Sequence, residues 1–129
     1  MPSFQKRILI IEDDEQLAQL LKMKLDMEGF ETRVEYSGTG GLGSAAEHPL
    51  DLVILDLKLP DVSGYDVAKR LRRLYHPWTL PIVMLTGLDK PVDQLRGFAH
   101  GADAYLTKPY DPDELSKTIA LLLGDVAKA

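Results

Sequence analysis

Acidic residues directly follow two of the apolar runs in this sequence. Glu12 and Asp13 come after the run RILII, and Asp56 comes after the run DLVIL. Carboxylates that converge within a few ångströms repel one another, so either their pKa values rise or a cation binds between them. Oxygen ligands with no cysteine or histidine nearby suit Mg²⁺, which uses a few carboxylates and keeps several waters. The pattern therefore indicates a magnesium site, provided that both runs end at the same edge of a sheet.

Two further apolar runs are followed by a residue with a hydroxyl group and a residue with an amino group. Thr86 follows PIVML, and Lys108 follows DAYLT. A hydroxyl donor and an ammonium group on the far side of a metal site suit the three equatorial oxygens of a phosphoryl group. Asp56 is then the natural nucleophile for an acyl phosphate. Taken singly, each residue could be a helix cap or a solvated charge, and for Asp14 the cap is the favoured interpretation.

The elements that must position these residues alternate along the chain between short β-rich runs and helical periods, which is typical of an α/β sheet. Three runs lack polar alternation, as strands covered by helices on both faces should, whereas the second strand alternates and is predicted to be a half-exposed edge. Between the strands, apolar residues recur at helical spacing and predict amphipathic helices. In the fourth predicted helix these residues are Val92, Leu95 and Ala99. The predicted strands are Arg7–Ile11, Glu31–Tyr36, Asp51–Leu55, Pro81–Leu85 and Asp103–Thr107.

Composition limits the possible functions. The chain has 129 residues, of which 45% are hydrophobic and 27% charged, so a single globular domain is expected. Its formal net charge of -5 disfavours binding to nucleic-acid phosphates or anionic lipid. Cysteine is absent, which excludes thiolate chemistry. The amino-terminal apolar run is too short for a signal peptide or membrane anchor, so a cytoplasmic location is expected.

A glycine pattern raises one alternative. The segment GTGGLG, residues 38–43, satisfies G-x-G-x-x-G, a pattern found in dinucleotide-binding folds. That motif requires a central strand ahead of it, whereas the strand here is the charged edge strand, so dinucleotide binding is disfavoured. The glycines instead fall at the start of the second helix, where glycine lowers helix stability, and they predict a frayed or irregular first turn.

The sequence strongly resembles the receiver domain of bacterial two-component response regulators, similar to the chemotaxis receivers. The matching segments are ILIIEDDEQL, LVILDLKLPDVSGYDV, LPIVMLTG and GADAYLTKPYDPDEL, and they cover essentially the whole chain. The resemblance implies a doubly wound, flavodoxin-like α/β fold with a five-stranded parallel sheet in the order 2-1-3-4-5 and five helices. We expect one receiver domain over residues 1–129, with a core at about 6–124.

The family's residue roles carry over by position. Asp56 corresponds to the phosphoacceptor, and Asp13 and Glu12 to the Mg²⁺ ligands, Glu12 largely through water. The backbone carbonyl of Lys58 completes the protein ligands. Thr86 corresponds to the switch hydroxyl, Tyr105 to the aromatic residue that changes rotamer, and Lys108 to the phosphate counterion in a cis Lys108–Pro109 unit. The implied donor is a histidine kinase or histidine phosphotransfer protein, and the implied output is a changed surface on helix 4, strand 5 and helix 5.

Some features depart from the family or leave alternatives open. Lys58 stands where many relatives carry methionine or asparagine, so its ammonium either alters the lifetime of the phosphoryl group or points into solvent. The last helix lacks the basic residues used for pairing in the DNA-binding winged-helix branch, so a monomer or weak dimer is expected. No output domain follows, which suits either a stand-alone receiver or part of a longer protein.

Three functional rivals remain at this level: a phosphohydrolase with an aspartyl nucleophile, a flavodoxin-like FMN binder and a receiver that acts only by binding. The resemblance favours a signalling switch that catalyses its own phosphorylation and dephosphorylation rather than a turnover enzyme. Phosphohydrolases of the haloacid dehalogenase type carry a second aspartate where this chain has Lys58. His48 and His76 are predicted to lie in loops at the opposite end of the sheet, where a metal site is disfavoured.

Overall fold

The computed structural model of the chain describes residues 5–75 and 80–124. Five strands alternate with five helices, as the sequence predicts, and strand limits agree with the predicted ones within one residue. His76, Trp78 and the last five residues lie outside these described ranges. The elements are β1 (Arg7–Ile11), α1 (Glu15–Met27), β2 (Glu31–Glu35), α2 (Gly38–Glu47), β3 (Leu52–Leu55), α3 (Gly64–Leu74), β4 (Ile82–Thr86), α4 (Pro91–Ala99), β5 (Ala104–Thr107) and α5 (Pro112–Leu122).

All strand pairs are parallel, and the sheet order is β2-β1-β3-β4-β5, which confirms the predicted doubly wound fold. Successive residues of the central strands point to opposite faces, and each face has its own apolar core. One core contains Leu9 and Ile11 and is covered by α2 and α3. The other contains Ile8 and Ile10 and is covered by α1 and α5. Burial on both faces explains why these strands are apolar without alternation.

Both ends of α1 are formed by residues of the type expected at a helix start and a helix end. The Asp14 carboxylate accepts a hydrogen bond of 3.2 Å from the backbone N–H of Leu17, so it caps the helix as predicted. After the helix ends, Gly29 adopts a φ of 98°, a left-handed conformation that glycine reaches without steric cost. These two residues set the length of α1 and the point at which β2 begins.

The first turn of α2 differs from the prediction, because the helix is regular from Gly38 despite its glycines. Two side chains satisfy its free N–H groups. The Ser37 hydroxyl accepts from Gly40, and the Asp61 carboxylate accepts from Gly38 and Thr39. Side-chain acceptors at a helix start stabilise it by about 1 kcal/mol each, which offsets the low helix propensity of glycine.

The packing of α4 also differs from the prediction. Val92 and Leu95, which were expected to face the core, are 55% and 70% exposed. Gly97 is the buried residue of this helix, and a Cβ atom there would meet the Tyr105 ring and the Met84 sulfur within 3 Å. The helix therefore approaches the sheet through a residue without a side chain and leaves its larger apolar residues on the surface. Within the described ranges, none of the helices is long and apolar enough to cross a membrane.

Candidate functional site

The residues singled out in the sequence gather at the carboxyl edge of the parallel sheet. Glu12 follows β1, Asp56 follows β3, Thr86 is the last residue of β4, and Lys108 follows β5. In a doubly wound sheet, ligands bind at this edge because loops and helix amino termini converge there. The topology thus brings together groups that lie up to 96 residues apart in the chain.

Three carboxylates form a compact acidic cluster. Glu12, Asp13 and Asp56 each offer an oxygen atom, and these atoms all lie within 4.8 Å of one another. The side chains differ in solvent access, since Glu12 and Asp56 are buried whereas Asp13 is exposed. Oxygen donors alone, with one exposed side for retained waters, fit Mg²⁺ better than a softer transition metal. The donor set is therefore chemically suited to the predicted cation.

Lys108 places an ammonium group against the same carboxylates. Its Nζ atom lies 2.5 Å from Glu12 Oε1 and 3.2 Å from Asp56 Oδ2. Burial lowers the pKa of Lys108, but the carboxylates of Glu12 and Asp56 outweigh that effect and leave the pKa above its ordinary value. The lysine is therefore fully charged at neutral pH. The Lys108–Pro109 peptide bond is cis, as expected.

Glu12 has the most strongly perturbed acid group of the cluster. Its pKa is raised to about 7, mainly by burial and in addition by the Asp56 carboxylate, while the hydrogen bond from Lys108 opposes both effects. A second donor is the backbone N–H of Asp14, 3.2 Å from Glu12 Oε2. Because the charged form is costly here, a divalent cation would displace a proton from this carboxyl group on binding.

Thr86 and Tyr105 lie on the neighbouring strands β4 and β5. Thr86 is fully buried, and its hydroxyl oxygen accepts a long hydrogen bond of 3.4 Å from the N–H of Leu88. Tyr105 on β5 donates its hydroxyl to the Leu88 carbonyl at 2.7 Å. Burial raises the pKa of Tyr105 to about 12, so the phenol stays protonated and remains a donor. Both residues therefore bond to the same short loop between β4 and α4.

Lys58 begins the loop that follows the buried aspartate. Its N–H lies 3.4 Å from Asp56 Oδ1, and its side chain is exposed. The exposed side chain is compatible with both alternatives weighed from the sequence, and the decay rate of the phosphoryl group in Lys58→Met distinguishes them. Asp56 is thus approached by a backbone N–H on one oxygen and by the Lys108 ammonium on the other.

The arrangement has a defined chemical capacity. The buried Asp56 carboxylate belongs to an acidic cluster that can hold a cation, and it also contacts the Lys108 ammonium group. Positive charge on two sides of a carboxylate can attract a phosphoryl group and neutralise the charge that develops on its oxygens during transfer.

The sequence did not predict the contacts of two residues, Asp61 and Arg72. Asp61 bonds to the start of α2, more than twenty residues away. Arg72, which stands among charged residues of α3, donates to the carbonyls of Leu80 and Gly101 and to the Asp103 carboxylate. No local pattern marks either residue, because their partners are distant in sequence.

Comparison with known proteins gives consistent matches. A sequence profile described as the response regulator receiver domain matches residues 8–120. The DNA-binding dual master transcriptional regulator RpaA of Synechocystis is 41% identical over 117 residues, which are 91% of this chain and 48% of that protein. The transcriptional regulatory protein YkoG of Bacillus subtilis is 40% identical over 90% of this chain and 50% of its own length. The chain thus spans about half the length of these relatives.

Solved structures show the same fold over nearly the whole chain. A CheY-like receiver domain from Methanospirillum hungatei has a TM-score of 0.88 at 30% identity and covers 97% of this chain and 98% of its own. A response regulator from Chloroflexus aurantiacus has a TM-score of 0.86 at 36% identity, with coverage of 94% and 99%. The chain therefore belongs to the response regulator receiver domain family of two-component systems.

Proposed function

We propose that this domain accepts a phosphoryl group on Asp56 from a phosphohistidine donor in a Mg²⁺-dependent reaction and later hydrolyses it. The observation that carries the proposal is the setting of Asp56. Its carboxylate is 5% exposed, belongs to a three-carboxylate cluster and lies 3.2 Å from the Lys108 ammonium. Burial of a charged aspartate destabilises a fold, so such a residue often has a functional role. The groups around Asp56, two carboxylates and an ammonium, are those that an acceptor for a phosphoryl group needs.

In the proposed site, Mg²⁺ would be held by Asp13, Asp56 and the backbone carbonyl of Lys58, with Glu12 acting largely through water. When bound, the cation would supply charge neutralisation for the phosphoryl oxygens and for the acidic cluster itself. This assignment is supported by the oxygen-only donor set and by the close approach of the three carboxylates, whose oxygen atoms lie within 4.8 Å of one another.

The transfer step uses groups of this chain on both sides of the phosphorus atom. An oxygen of the Asp56 carboxylate attacks phosphorus, the phosphorus–nitrogen bond to the donor histidine breaks, and its electron pair returns to the imidazole. The product is an acyl phosphate on Asp56. Lys108 and the Thr86 hydroxyl would donate to the phosphoryl oxygens. In hydrolysis, water attacks the same phosphorus atom and releases inorganic phosphate and the free carboxylate.

The proposed output is a shift between two conformations. Thr86 would move towards the phosphoryl group, and Tyr105 would follow, because both bond to the loop at Leu88. That loop leads directly into α4, whose Val92 and Leu95 are exposed on the surface. The face formed by α4, β5 and α5 would then change its affinity for a partner.

We further propose a cytoplasmic, single-domain receiver unit over residues 1–129 that is a monomer or a weak dimer. Its donor would be a histidine kinase or a histidine phosphotransfer protein. The output partner would be either a separate protein or a domain attached in a longer parent chain, since the curated relatives are about twice as long as the matched segment. The net charge of -5 supports the absence of nucleic-acid binding by this domain alone.

Beryllofluoride titration tests the proposed acceptor site. The compound has the size and charge of a phosphoryl group and would bind only where a carboxylate, a cation and an ammonium group converge. We expect saturable binding by nuclear magnetic resonance that requires Mg²⁺ and is lost in Asp56→Asn. The exposed residue Asp66 on α3 provides a matched control, and Asp66→Asn should bind normally. Binding that survives Asp56→Asn would contradict the proposal.

A further inference from the structure

The loop that joins β3 to α3, residues 57–63, carries the Lys58 carbonyl that we assign to the metal. It contains no helix or strand, so other contacts must hold it in place. At its far end, the N–H of Gly64 donates to the Leu57 carbonyl at 2.9 Å. A Cβ atom on Gly64 would overlap the Asp56 carbonyl oxygen, so α3 begins in close contact with the phosphoacceptor strand. Leu57 and Leu59 pack against the core on either side of Lys58, whereas Pro60 and Asp61 are exposed, so the outer half of the loop depends on a further contact.

Asp61 supplies the second attachment. Its Oδ1 atom accepts from the N–H of Gly38 and its Oδ2 atom from the N–H of Thr39, both at 2.8 Å. The Oδ1 atom also accepts from the N–H of Val62 at 2.9 Å, which fixes the rotamer within its own loop. A hydrogen bond with the Thr39 side chain, together with these backbone bonds, holds the pKa of Asp61 well below its ordinary value, so the carboxylate is charged throughout the neutral range.

Packing around the attachment is tight. Gly38 is buried at the first position of α2, and a Cβ atom there would overlap the Val62 Cγ2 atom. The start of α2 and the loop thus meet without an intervening side chain, which is what allows both Asp61 oxygens to reach consecutive backbone N–H groups. The loop and the helix start are therefore in direct contact.

Helix capping alone does not account for Asp61. The start of α2 already has a local cap, because the Ser37 hydroxyl accepts from the N–H of Gly40 at 3.0 Å. Asp61 comes from a segment 22 and 23 residues away and satisfies two further N–H groups. A carboxylate that accepts two charge-assisted hydrogen bonds restrains its own backbone as much as it stabilises the helix. Its effect therefore extends to the loop that contains Lys58.

We propose that Asp61 is a positioning residue for the metal site, which holds the Lys58 carbonyl in place by anchoring the 57–63 loop to the start of α2. The proposal rests on the proposed function, because it assigns that carbonyl to Mg²⁺. Outer partners that orient a metal ligand typically change metal affinity by about 10- to 100-fold when they are removed. For a backbone ligand held through a loop, we expect the lower end of that range.

Isothermal titration with Mg²⁺ alone tests this inference in the folded chain. We expect Asp61→Ala to bind Mg²⁺ on the order of tenfold more weakly than the unsubstituted chain. Asp61→Asn keeps one acceptor oxygen and should fall between the two, which also covers the case in which the alanine variant unfolds. Asp66→Ala removes an exposed carboxylate from the first turn of α3 and should leave the affinity unchanged.

Amide hydrogen exchange adds a readout that does not depend on metal. Lys58 and Gly64 have N–H groups that are hydrogen-bonded to Asp56 and Leu57 and not to Asp61. Without Mg²⁺, exchange at these two amides should become faster in Asp61→Ala and stay unchanged in Asp66→Ala. Variants at Asp61 that lose thermal stability but keep both the Mg²⁺ affinity and the exchange rates would overturn the inference and leave Asp61 as a helix cap. Failure of the unsubstituted chain to bind Mg²⁺ would instead reject the proposed function, so the two failures are distinguishable.

Discussion

Substitution of Asp56 by asparagine should stabilise the metal-free protein, even though it removes the residue on which the proposed chemistry depends. Asp56 lies within 4.8 Å of carboxylate oxygens on both Glu12 and Asp13. At an effective dielectric constant of about 20 and the limiting distance of 4.8 Å, each unscreened repulsion costs about 3.5 kcal/mol, whereas the attraction to Lys108 across 3.2 Å contributes about 5 kcal/mol. Solvent screening of exposed Asp13 lowers its share of the repulsion, but relief of the buried Asp56 charge adds to the gain, so with both neighbours ionised the substitution should stabilise the fold by on the order of 2 kcal/mol.

The assay is thermal unfolding at pH 8 with a chelator, where Glu12 is mostly ionised because its pKa is about 7. For a chain of this size, a gain of about 2 kcal/mol corresponds to a rise in Tm of roughly 8 °C. The gain should shrink near pH 5.5, because protonated Glu12 no longer repels Asp56 while the attraction to Lys108 persists. Asp66→Asn, which removes an exposed charge, should change the free energy of unfolding by no more than about 0.5 kcal/mol.

Magnesium should reverse the order of stability. A cation at about 100 times its Kd stabilises the folded state by about 2.7 kcal/mol, and Asp56→Asn should lose most of that gain because it lacks one ligand charge. A Tm for Asp56→Asn at or below that of the unsubstituted chain at pH 8 without metal would refute the electrostatic account of the cluster. An equal response of both proteins to Mg²⁺ would refute the ligand role of Asp56.

Three further predictions follow from individual side chains. Arg72 is 13% exposed and ion-paired, so Arg72→Ala should lower the free energy of unfolding by about 3 kcal/mol, measured by chemical denaturation. The exposed control Arg73→Ala should lower it by less than about 1 kcal/mol, and equal losses would contradict the structural role of Arg72. Without metal, the free energy of unfolding should fall between about pH 4.5 and 7, because the folded chain keeps a proton on Glu12 that the unfolded chain has released; a similar slope in Glu12→Gln would disprove the cause. Lys58→Met should lengthen the lifetime of the phosphoryl group roughly threefold, since an exposed ammonium near the attacking water lowers the barrier by less than about 1 kcal/mol; an unchanged decay rate would disprove it.

The sheet and the acidic cluster were predictable because their signals are local. A strand buried on both faces is a continuous apolar run, and the residue after it lies at the carboxyl edge whatever the details of packing. Glu12, Asp56 and Lys108 could therefore be placed together from the sequence, and the structure brings them within hydrogen-bonding distance. Their roles in metal binding and phosphoryl transfer stay predictions for the experiments above.

The features that could not be predicted depend on contacts between distant segments. Periodicity placed Val92 and Leu95 of α4 in the core, but Gly97 faces the sheet because only glycine fits against the Tyr105 ring. Glycine propensity predicted an irregular start for α2, but the Asp61 carboxylate from another loop satisfies that turn. In each case a tertiary contact outweighed a local preference.

Intact mass measurement after incubation with a small acyl phosphate donor and Mg²⁺ tests the central claim most directly. The proposed acceptor role of Asp56 predicts one phosphoryl adduct on the unsubstituted chain, and none in Asp56→Asn or in the presence of a chelator. An adduct that persists in Asp56→Asn, or no adduct on the folded, Mg²⁺-supplied chain, would contradict it.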